Sequence, residues 1–317
     1  MTRLFAFLLC CLVSAAHAQT YPAKSIRIIV PFGVGGPADI YARFIGAKIG
    51  DAMGQSVLVE NRPGGGAVIG SDAVAKSAPD GYTLLMMSNT HTVNETLIPK
   101  KPYTLMKDLA PITGVNYSDL IMVVHPTVQP SNVKELIAQA KAHPGKLNYA
   151  SSGPGTPYHM AGELFRTMVG IDIVHVPHKG SDQARVAILG AQVHMMLDAI
   201  TVMAPNVRAG KVKAMGTTGK TRSPITPEIP TLSEAGVPGY ETGIWLGLMA
   251  PAGTPRPIVE KLNAEIVKVL NSPEVRKNWG DQGATPMPMM IEQFDKFLRD
   301  DIAKWAPVVK ATGMKVD

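Results

Sequence analysis

The sequence has very little cysteine: its 317 residues include only Cys10 and Cys11. Both lie in the opening segment MTRLFAFLLCCLVSAAHA, which has a basic Arg3, a short apolar run and an Ala-His-Ala end. These are the features of a secretory signal peptide, and cleavage is predicted after Ala18, so that residues 1–18 are removed. The mature chain then lacks cysteine, which excludes disulfides, thiolate nucleophiles and cysteine metal sites.

The sequence also lacks long hydrophobic runs. The run from Leu4 to Val13 is shorter than the ~20 apolar residues that cross a bilayer, which disfavours the alternative of a membrane anchor. Charge of one sign is not concentrated either: the formal net charge is +6, and basic residues occur singly or in pairs. Nucleic-acid binders cluster such residues. We therefore predict an exported, periplasmic protein with no nucleic-acid partner, whose mildly basic surface suits small anions.

Short apolar segments alternate with amphipathic ones along the rest of the chain. IRIIV, VLVE, YTLLMM, LIMVV, LNYA, IVHV, VHMML and VKAMG are typical of buried strands. VKELIAQAKA and PRPIVEKLNAEIVKVL have the apolar spacing of helices, the second with Thr254 as predicted N-cap and Pro255 as first helical residue. This alternation predicts an α/β fold with parallel sheets covered on both faces. The stretches 120–130 and 240–255 are candidate connections between two lobes; a single sheet is the alternative.

Glycine-rich loops follow several of these strands and precede helices, as in PFGVGGPAD, SSGPGTPYH and HVPHKGSDQ. A helix N-terminus presents free N–H groups, so each loop is a candidate anion site at the carboxyl end of a strand. Pro37 and Pro157 are predicted first helical residues, and Thr156 is the predicted N-cap before Pro157. Asp39 is a candidate site residue, but an i, i+4 ion pair with Arg43 explains it equally well. Asp198 lies at the end of an apolar strand, where an acidic residue is more readily explained by a place in the site than by a place in the core.

Known catalytic and nucleotide-binding patterns are absent from the sequence. There is no P-loop, GVGGPAD departs from the dinucleotide fingerprint at its last glycine, and no G-x-S-x-G elbow occurs. His175 and His178 are the closest histidine pair, without a nearby acidic ligand. We therefore predict no catalytic residue, no metal site and no cofactor.

Six ordered motifs carry a resemblance that covers the mature chain: PFGVGGPADIYAR, VENRPGGGAVIG, APDGYTLL, KLNYASSGPGTPYHMAGELF, VPHKGSDQARVAILGAQVHMM and EIPTLSEAGVPGY. The sequence resembles the substrate-binding proteins of tripartite tricarboxylate transporters, often called Bug receptors. The resemblance implies a type II periplasmic-binding-protein fold, with two α/β lobes joined by crossing strands around a ligand cleft. It places the first lobe at residues 19–122 and 245–317, including a C-terminal helix, and the second lobe at residues 123–244.

The resemblance also implies that the ligand is a small carboxylate, held between facing loops by backbone N–H groups and two trapped waters. We predict that the protein is a monomer and that it delivers this ligand to a membrane permease. Carried over by position, the predicted ligand-binding residues are Phe32, Gly36, Ala38, Asp39, Ser88 and Thr90 of the first lobe, and Ser151, Ser152, Gly155, Thr156, His159, Lys179, Gly180, Ser181 and Asp198 of the second.

Two other functions remain open at this point: an exported α/β enzyme acting on a carboxylate, and a partner that presents its ligand to a membrane sensor. Retention of the ligand unchanged would separate a receptor from an enzyme. The sequence does not name the carboxylate. Tyr158, Tyr117 and His91 are candidates for bordering an aromatic acid, or are ordinary surface residues.

Overall fold

The computed structural model describes residues 21–312, so the predicted signal peptide and its cleavage site lie outside the described residues. The chain alternates strands and helices, which confirms the α/β prediction. The strands are β1 (Ile26–Val30), β2 (Val57–Asn61), β3 (Thr83–Ser88), β4 (Leu109–Val124), β5 (Asn148–Ser151), β6 (Val174–Pro177), β7 (Met195–Ala199), β8 (Lys213–Thr217), β9 (Gly243–Pro251) and β10 (Ala284–Pro286).

The helices cover both faces of the sheet. They are α1 (Pro37–Met53), α2 (Val68–Ala75), α3 (Asn89–Leu97), α4 (Leu105–Asp108), α5 (Val133–Ala142), α6 (Pro157–Val169), α7 (Ser181–Leu189), α8 (Ile200–Arg208), α9 (Arg256–Leu270), α10 (Pro273–Gly280) and α11 (Ile291–Thr312). Helices α1 and α6 begin at the predicted prolines. Within the described range, no helix combines the length and apolar character that crossing a membrane requires.

The long strand β4 divides the sheet into two parts. Up to Asp119 it pairs antiparallel with β9 and β10, and from Leu120 it pairs antiparallel with β7 and β8. The strand order β2-β1-β3-β9-β4-β7-β5-β6 is therefore continuous through β4. We call the part with β1, β2, β3, β9 and β10 the first lobe, and the part with β5, β6, β7 and β8 the second lobe.

Each lobe keeps a parallel βα arrangement like the one predicted. Strand β1 pairs parallel with β2 and β3, and β5 pairs parallel with β6 and β7, whereas the pairings of β4 and of β3 with β9 are antiparallel. The sheet is therefore mixed rather than parallel throughout. Because parallel strands end at the same edge, the loops after β1 and β2 lie together in the first lobe, and those after β5 and β6 in the second.

One predicted helix start is wrong by a residue. Helix α9 begins at Arg256 with Pro255 as its N-cap residue, rather than with Thr254 as cap. Instead, the Thr254 hydroxyl donates to the Pro251 carbonyl at 2.7 Å. The Thr254 N–H donates to the same carbonyl at 3.2 Å. The side chain thus closes the turn that ends β9, and it is not available to cap α9.

Candidate functional site

Three helix N-termini from both lobes meet at one cavity of about 380 Å³. Their N-cap residues, Gly36 of α1, Thr156 of α6 and Gly180 of α7, all line it. None of these three residues caps its helix with a side-chain hydrogen bond. Since the first N–H groups of a helix have no partner within it, this cavity is surrounded by backbone donors and by the positive ends of three helix dipoles.

Two other helices begin at the cavity wall, and both N-termini already have partners. In α2, whose N-cap Ala67 lines the cavity, the Val68 and Ile69 N–H groups donate to the Gly65 and Gly64 carbonyls.

Helix α3 is capped by side chains. The Ser88 hydroxyl accepts the Thr90 N–H at 3.2 Å, and His91 Nδ1 accepts the Ser88 N–H at 3.1 Å. Burial lowers the pKa of His91 to about 4, so its ring is neutral and its Nε2–H faces the Ser71 hydroxyl at 2.9 Å. Ser88 is therefore part of the cavity wall, whereas Thr90 is buried and does not reach the cavity.

The lobes approach each other closely beside this cavity. A Cβ placed on Gly36 would lie 2.8 Å from Ser181 Oγ, and one on Gly33 would lie 3.6 Å from the Gly180 Cα. A Cβ on Gly66 would likewise lie 3.6 Å from the Pro154 carbonyl oxygen. At Gly36 a Cβ would require Ser181 to shift, whereas the 3.6 Å distances are ordinary van der Waals contacts that show how near the two lobes lie. The structure is thus a closed one, in which the loops of the two lobes touch and both lobes line the same cavity.

The loop between β5 and α6 is held from within the second lobe. The Thr156 hydroxyl donates to the Gly153 carbonyl at 2.7 Å, so the predicted capping bond from Thr156 is wrong although the residue is the N-cap. The Gly155 N–H donates to His159 Nδ1 at 3.1 Å, and the Gly153 N–H to Ser151 Oγ at 3.1 Å. The Thr156 hydroxyl thus closes the loop instead of capping α6.

Two stacked histidines lie beneath this loop. The rings of His159 and His175 are 3.9 Å apart at 16°, and His175 Nε2 lies 2.6 Å from the Ser151 hydroxyl. Burial, together with the positive charge of Arg166, lowers the pKa of His159 to about 4. Burial and the neighbouring His159 lower that of His175 to about 3. Both rings are therefore neutral at pH 7, and they act as fixed packing and hydrogen-bonding groups.

Both predicted acidic site residues are already paired. Asp39 accepts the Gly35 N–H and the Arg43 guanidinium, each at 3.0 Å. Burial raises the pKa of Asp39, but the bonds from Arg43 and Gly35 outweigh it and hold the pKa below its usual range. Asp198 is fully buried and accepts the Arg185 Nε–H at 2.8 Å and the Ala199 N–H at 2.9 Å. Neither side chain lines the cavity; each fixes the backbone next to it.

The structure brings nine of the fifteen predicted residues to the cavity wall, namely Phe32, Gly36, Ala38, Ser88, Ser152, Thr156, Lys179, Gly180 and Ser181. The other six lie behind the wall: Asp39, Thr90, Ser151, Gly155, His159 and Asp198. Sequence reasoning missed further wall residues, including the Pro63–Ala67 loop, His178, and Ile244 and Leu246 of β9. The glycine-rich PGGGA segment was a usable signal. Ile244 and Leu246 gave no such signal, because they reach the wall only through the pairing of β9 with strands that are distant in sequence.

Among the three candidates for contact with an aromatic acid, Tyr158 alone lines the cavity. His91 is buried behind Phe32, with the two rings 5.9 Å apart and nearly perpendicular. Within residues 21–312, no group of three or more His, Cys, Asp or Glu side chains is placed to hold a metal ion. The arrangement suits non-covalent capture of a small anion by N–H groups.

Comparison with known proteins agrees with this geometry. Residues 41–314 match the family described as tripartite tricarboxylate transporter family receptor. The chain is 38% identical to the protein BugT of Bordetella pertussis, with 100% of this chain and 99% of that protein covered. It is also 38% identical to a protein encoded in the tcbD-tcbE intergenic region of a Pseudomonas strain, with 93% and 88% covered.

Solved structures show the same fold. The structure of R. palustris Rpa4515 with adipate has a TM-score of 0.90 at 32% identity, covering 93% of this chain and 99% of that one. MatC of Rhodopseudomonas palustris with bound malate has a TM-score of 0.86 at 33% identity, covering 91% and 100%. BugD, a periplasmic binding protein, has a TM-score of 0.88 at 32% identity, covering 93% and 99%. The predicted two-lobed periplasmic-binding-protein fold is confirmed, and the chain belongs to the tripartite tricarboxylate transporter receptor family.

Proposed function

We propose that this receptor captures a small carboxylate between its two lobes by hinge closure and delivers it, chemically unchanged, to a membrane permease of the tripartite tricarboxylate type. The observation that carries the proposal is that three helix N-termini without a side-chain cap meet at a single cavity. Two of them belong to one lobe and one to the other. Relatives of the same fold hold adipate and malate, which are carboxylates.

Closure follows from where the donors lie. Gly36 belongs to the first lobe, and Thr156 and Gly180 belong to the second. A buried carboxylate without partners is strongly unfavourable, and hydrogen bonds to a charged group contribute about 1.5–3 kcal/mol each. Because only the closed state supplies donors from both lobes, the ligand favours that state. One chain provides both walls, so we propose that a monomer suffices.

The proposed hinge lies where the chain crosses between the lobes, at the middle of β4 and in the return segment before β9. The first lobe is proposed to comprise residues 19–122 and 245–317, and the second residues 123–244. The Thr218 hydroxyl joins the two crossings, because it accepts the Leu120 N–H at 2.8 Å and donates to the Thr242 carbonyl at 2.6 Å. Thr218 thereby keeps the crossings side by side during closure.

A thermal-shift screen of carboxylates on the mature protein tests the proposal. A ligand at 100 times its Kd adds about 2.7 kcal/mol to the free energy of unfolding, which raises the melting temperature measurably. The ligand should be recovered unchanged after incubation. Turnover of the bound carboxylate, lost when Gly36 or Ser181 is substituted, would favour the enzyme alternative instead.

A further inference from the structure

A second contact between the lobes lies outside the cavity wall. Met160, which belongs to α6 of the second lobe, is only 2% exposed. It packs in a cluster with four other buried side chains, and all four come from the first lobe: Val93 and Leu97 of α3, and Trp305 and Val309 of α11. None of these five residues lines the cavity. Met160 therefore reaches the first lobe at a place that a ligand in the cavity does not touch.

The loop before α6 approaches the first lobe in the same region. Gly155 has φ +71°, and a Cβ placed on it would lie 2.6 Å from Leu97 Cδ2 and 3.1 Å from Asn94 Oδ1. Its backbone thus lies directly against side chains of α3, and both the conformation and the close approach favour glycine. The loop and the first turn of α6 therefore both rest on the first lobe.

The first-lobe side of this contact is held together by its own bonds. The Thr92 hydroxyl of α3 donates to the Asp301 carboxylate of α11 at 2.5 Å, and both residues are buried. Leu97 and Trp305 join the same two helices through the apolar cluster. The surface that receives Met160 is therefore fixed within the first lobe, and movement of the second lobe away from it would separate Met160 from its neighbours.

Separation of the lobes would return apolar surface to water. Met160 would lose its first-lobe neighbours, and burial of a methionine side chain against apolar partners is favourable. This burial favours the closed state whether or not a ligand is present. The apparent affinity of a receptor falls in proportion as its binding-competent state is less populated. A contact that stabilises the closed state thus raises the affinity without touching the ligand.

We infer that Met160, seated against α3 and α11, forms an apolar latch that stabilises the closed state and thereby sets the affinity of the cavity for its ligand. The latch consists of Met160 together with Val93, Leu97, Trp305 and Val309. The inference rests on the proposed function, because it assumes that the lobes open and close. Met160 is a positioning residue, since it acts on ligand binding through the closure of the lobes.

A disulfide between the lobes measures closure without any ligand. Residues 19–317 contain no cysteine, and the Cβ position of Gly36 lies 2.8 Å from Ser181 Oγ, which suits a disulfide after Gly36→Cys and Ser181→Cys. In the exchange reaction, the two protein thiols reduce one oxidised glutathione to two reduced glutathione molecules. Because only closed molecules form the disulfide, the equilibrium constant of this reaction is proportional to the closed fraction.

Substitutions in the latch are then compared in this background. Met160→Ala should lower the equilibrium constant about tenfold, because the closed state loses the buried methionine side chain. Met168→Ala is the matched control, since Met168 lies on the same helix and is 41% exposed, and it should leave the constant unchanged. Met160→Leu keeps the apolar volume and should stay within about twofold of the native constant. Leu97→Ala opens the latch from the first-lobe side and should lower the constant as Met160→Ala does.

The outcomes separate this inference from the proposed function. Equal constants for Met160→Ala and Met168→Ala would overturn the latch, and so would a native constant in Leu97→Ala if Met160→Ala does not fold. Neither result bears on carboxylate capture, which the thermal-shift screen tests separately. Absence of the disulfide in the otherwise native protein would contradict the closed contact itself, and the latch and the proposed hinge closure would then fail together.

Discussion

At the scale of single residues, Thr156 orders the second-lobe loop through its hydroxyl bond to the Gly153 carbonyl. Thr156→Val keeps the shape of the side chain but removes this bond, whose net contribution is about 0.5–1.5 kcal/mol. We expect carboxylate affinity to fall about two- to tenfold. Thr156→Ser, which keeps the hydroxyl, should bind nearly as the native protein does. Calorimetry on both variants measures this, and native affinity in Thr156→Val would show that the bond does not order the loop.

His159 allows a pH-dependent test at the same scale. Its pKa is lowered from 6.5 to about 4 in the folded protein, so between these values the unfolded chain binds the extra proton. The contribution of His159 to the free energy of unfolding is therefore complete above pH 6.5 and decreases as the pH falls toward 4. His159→Gln retains an acceptor for the Gly155 N–H but cannot titrate.

Denaturant unfolding at pH 7 and pH 5 measures this difference. From pH 7 to pH 5 the native protein should lose about 1–2 kcal/mol more than His159→Gln. Asp119, whose pKa burial raises to about 6, acts in the opposite direction, but its effect is common to both proteins and cancels in the comparison. Equal losses in the two proteins would mean that His159 is not held neutral by the fold.

At the scale of elements, the loop before α1 and the start of α7 must touch when the lobes close. Gly36 has φ −85° and ψ 167°, which a β-branched residue can adopt, yet its Cβ would lie 2.8 Å from Ser181 Oγ. Gly36→Val should therefore lower carboxylate affinity more than tenfold, while the ligand-free protein melts close to the native temperature. Gly280→Val is the matched control, because a Cβ there has no neighbour within 4 Å. Equal affinities for the two variants would place the contact of the lobes elsewhere.

Elements with regular patterns were predictable from the sequence, and those set by distant pairing were not. The prolines at 37 and 157 mark helix starts because proline suits the first helical position. By contrast, the segment LIMVV covers only the end of β4, whose first part contains Pro111, Gly114 and Asn116. These residues disfavour strands locally, but pairing with β9 overrides them, with register shifts between Pro111 and Thr113 and between Gly114 and Asn116.

The same distinction applies to the site. Glycine-rich loops after strands were readable because they precede helices, and most of the predicted wall residues lie in them. Asp39, His159 and Asp198 were predicted from position alone, and the structure places their side chains behind the wall. Composition does not show which way such a side chain faces. Ile244 and Leu246 could not be found, since they reach the wall only because β9 lies between β3 and β4.

At the scale of the whole molecule, the predicted signal peptide determines which residues the exported chain keeps. The short apolar run and the Ala-His-Ala end predict cleavage after Ala18. N-terminal sequencing of the exported protein should therefore begin at Gln19, followed by Thr20. A lipid-modified start at Cys10 or Cys11 would contradict the prediction and would make the receptor membrane-anchored.

Closure of the two lobes on a carboxylate is the central claim, and small-angle X-ray scattering tests it most directly. The described structure is closed, with Gly33 and Gly36 of the first lobe against Gly180 and Ser181 of the second. With a saturating carboxylate that stabilises the mature protein, the radius of gyration should decrease and the scattering curve should match this closed structure. The ligand-free protein should scatter as a more open particle. Identical curves with and without the bound carboxylate would contradict the account.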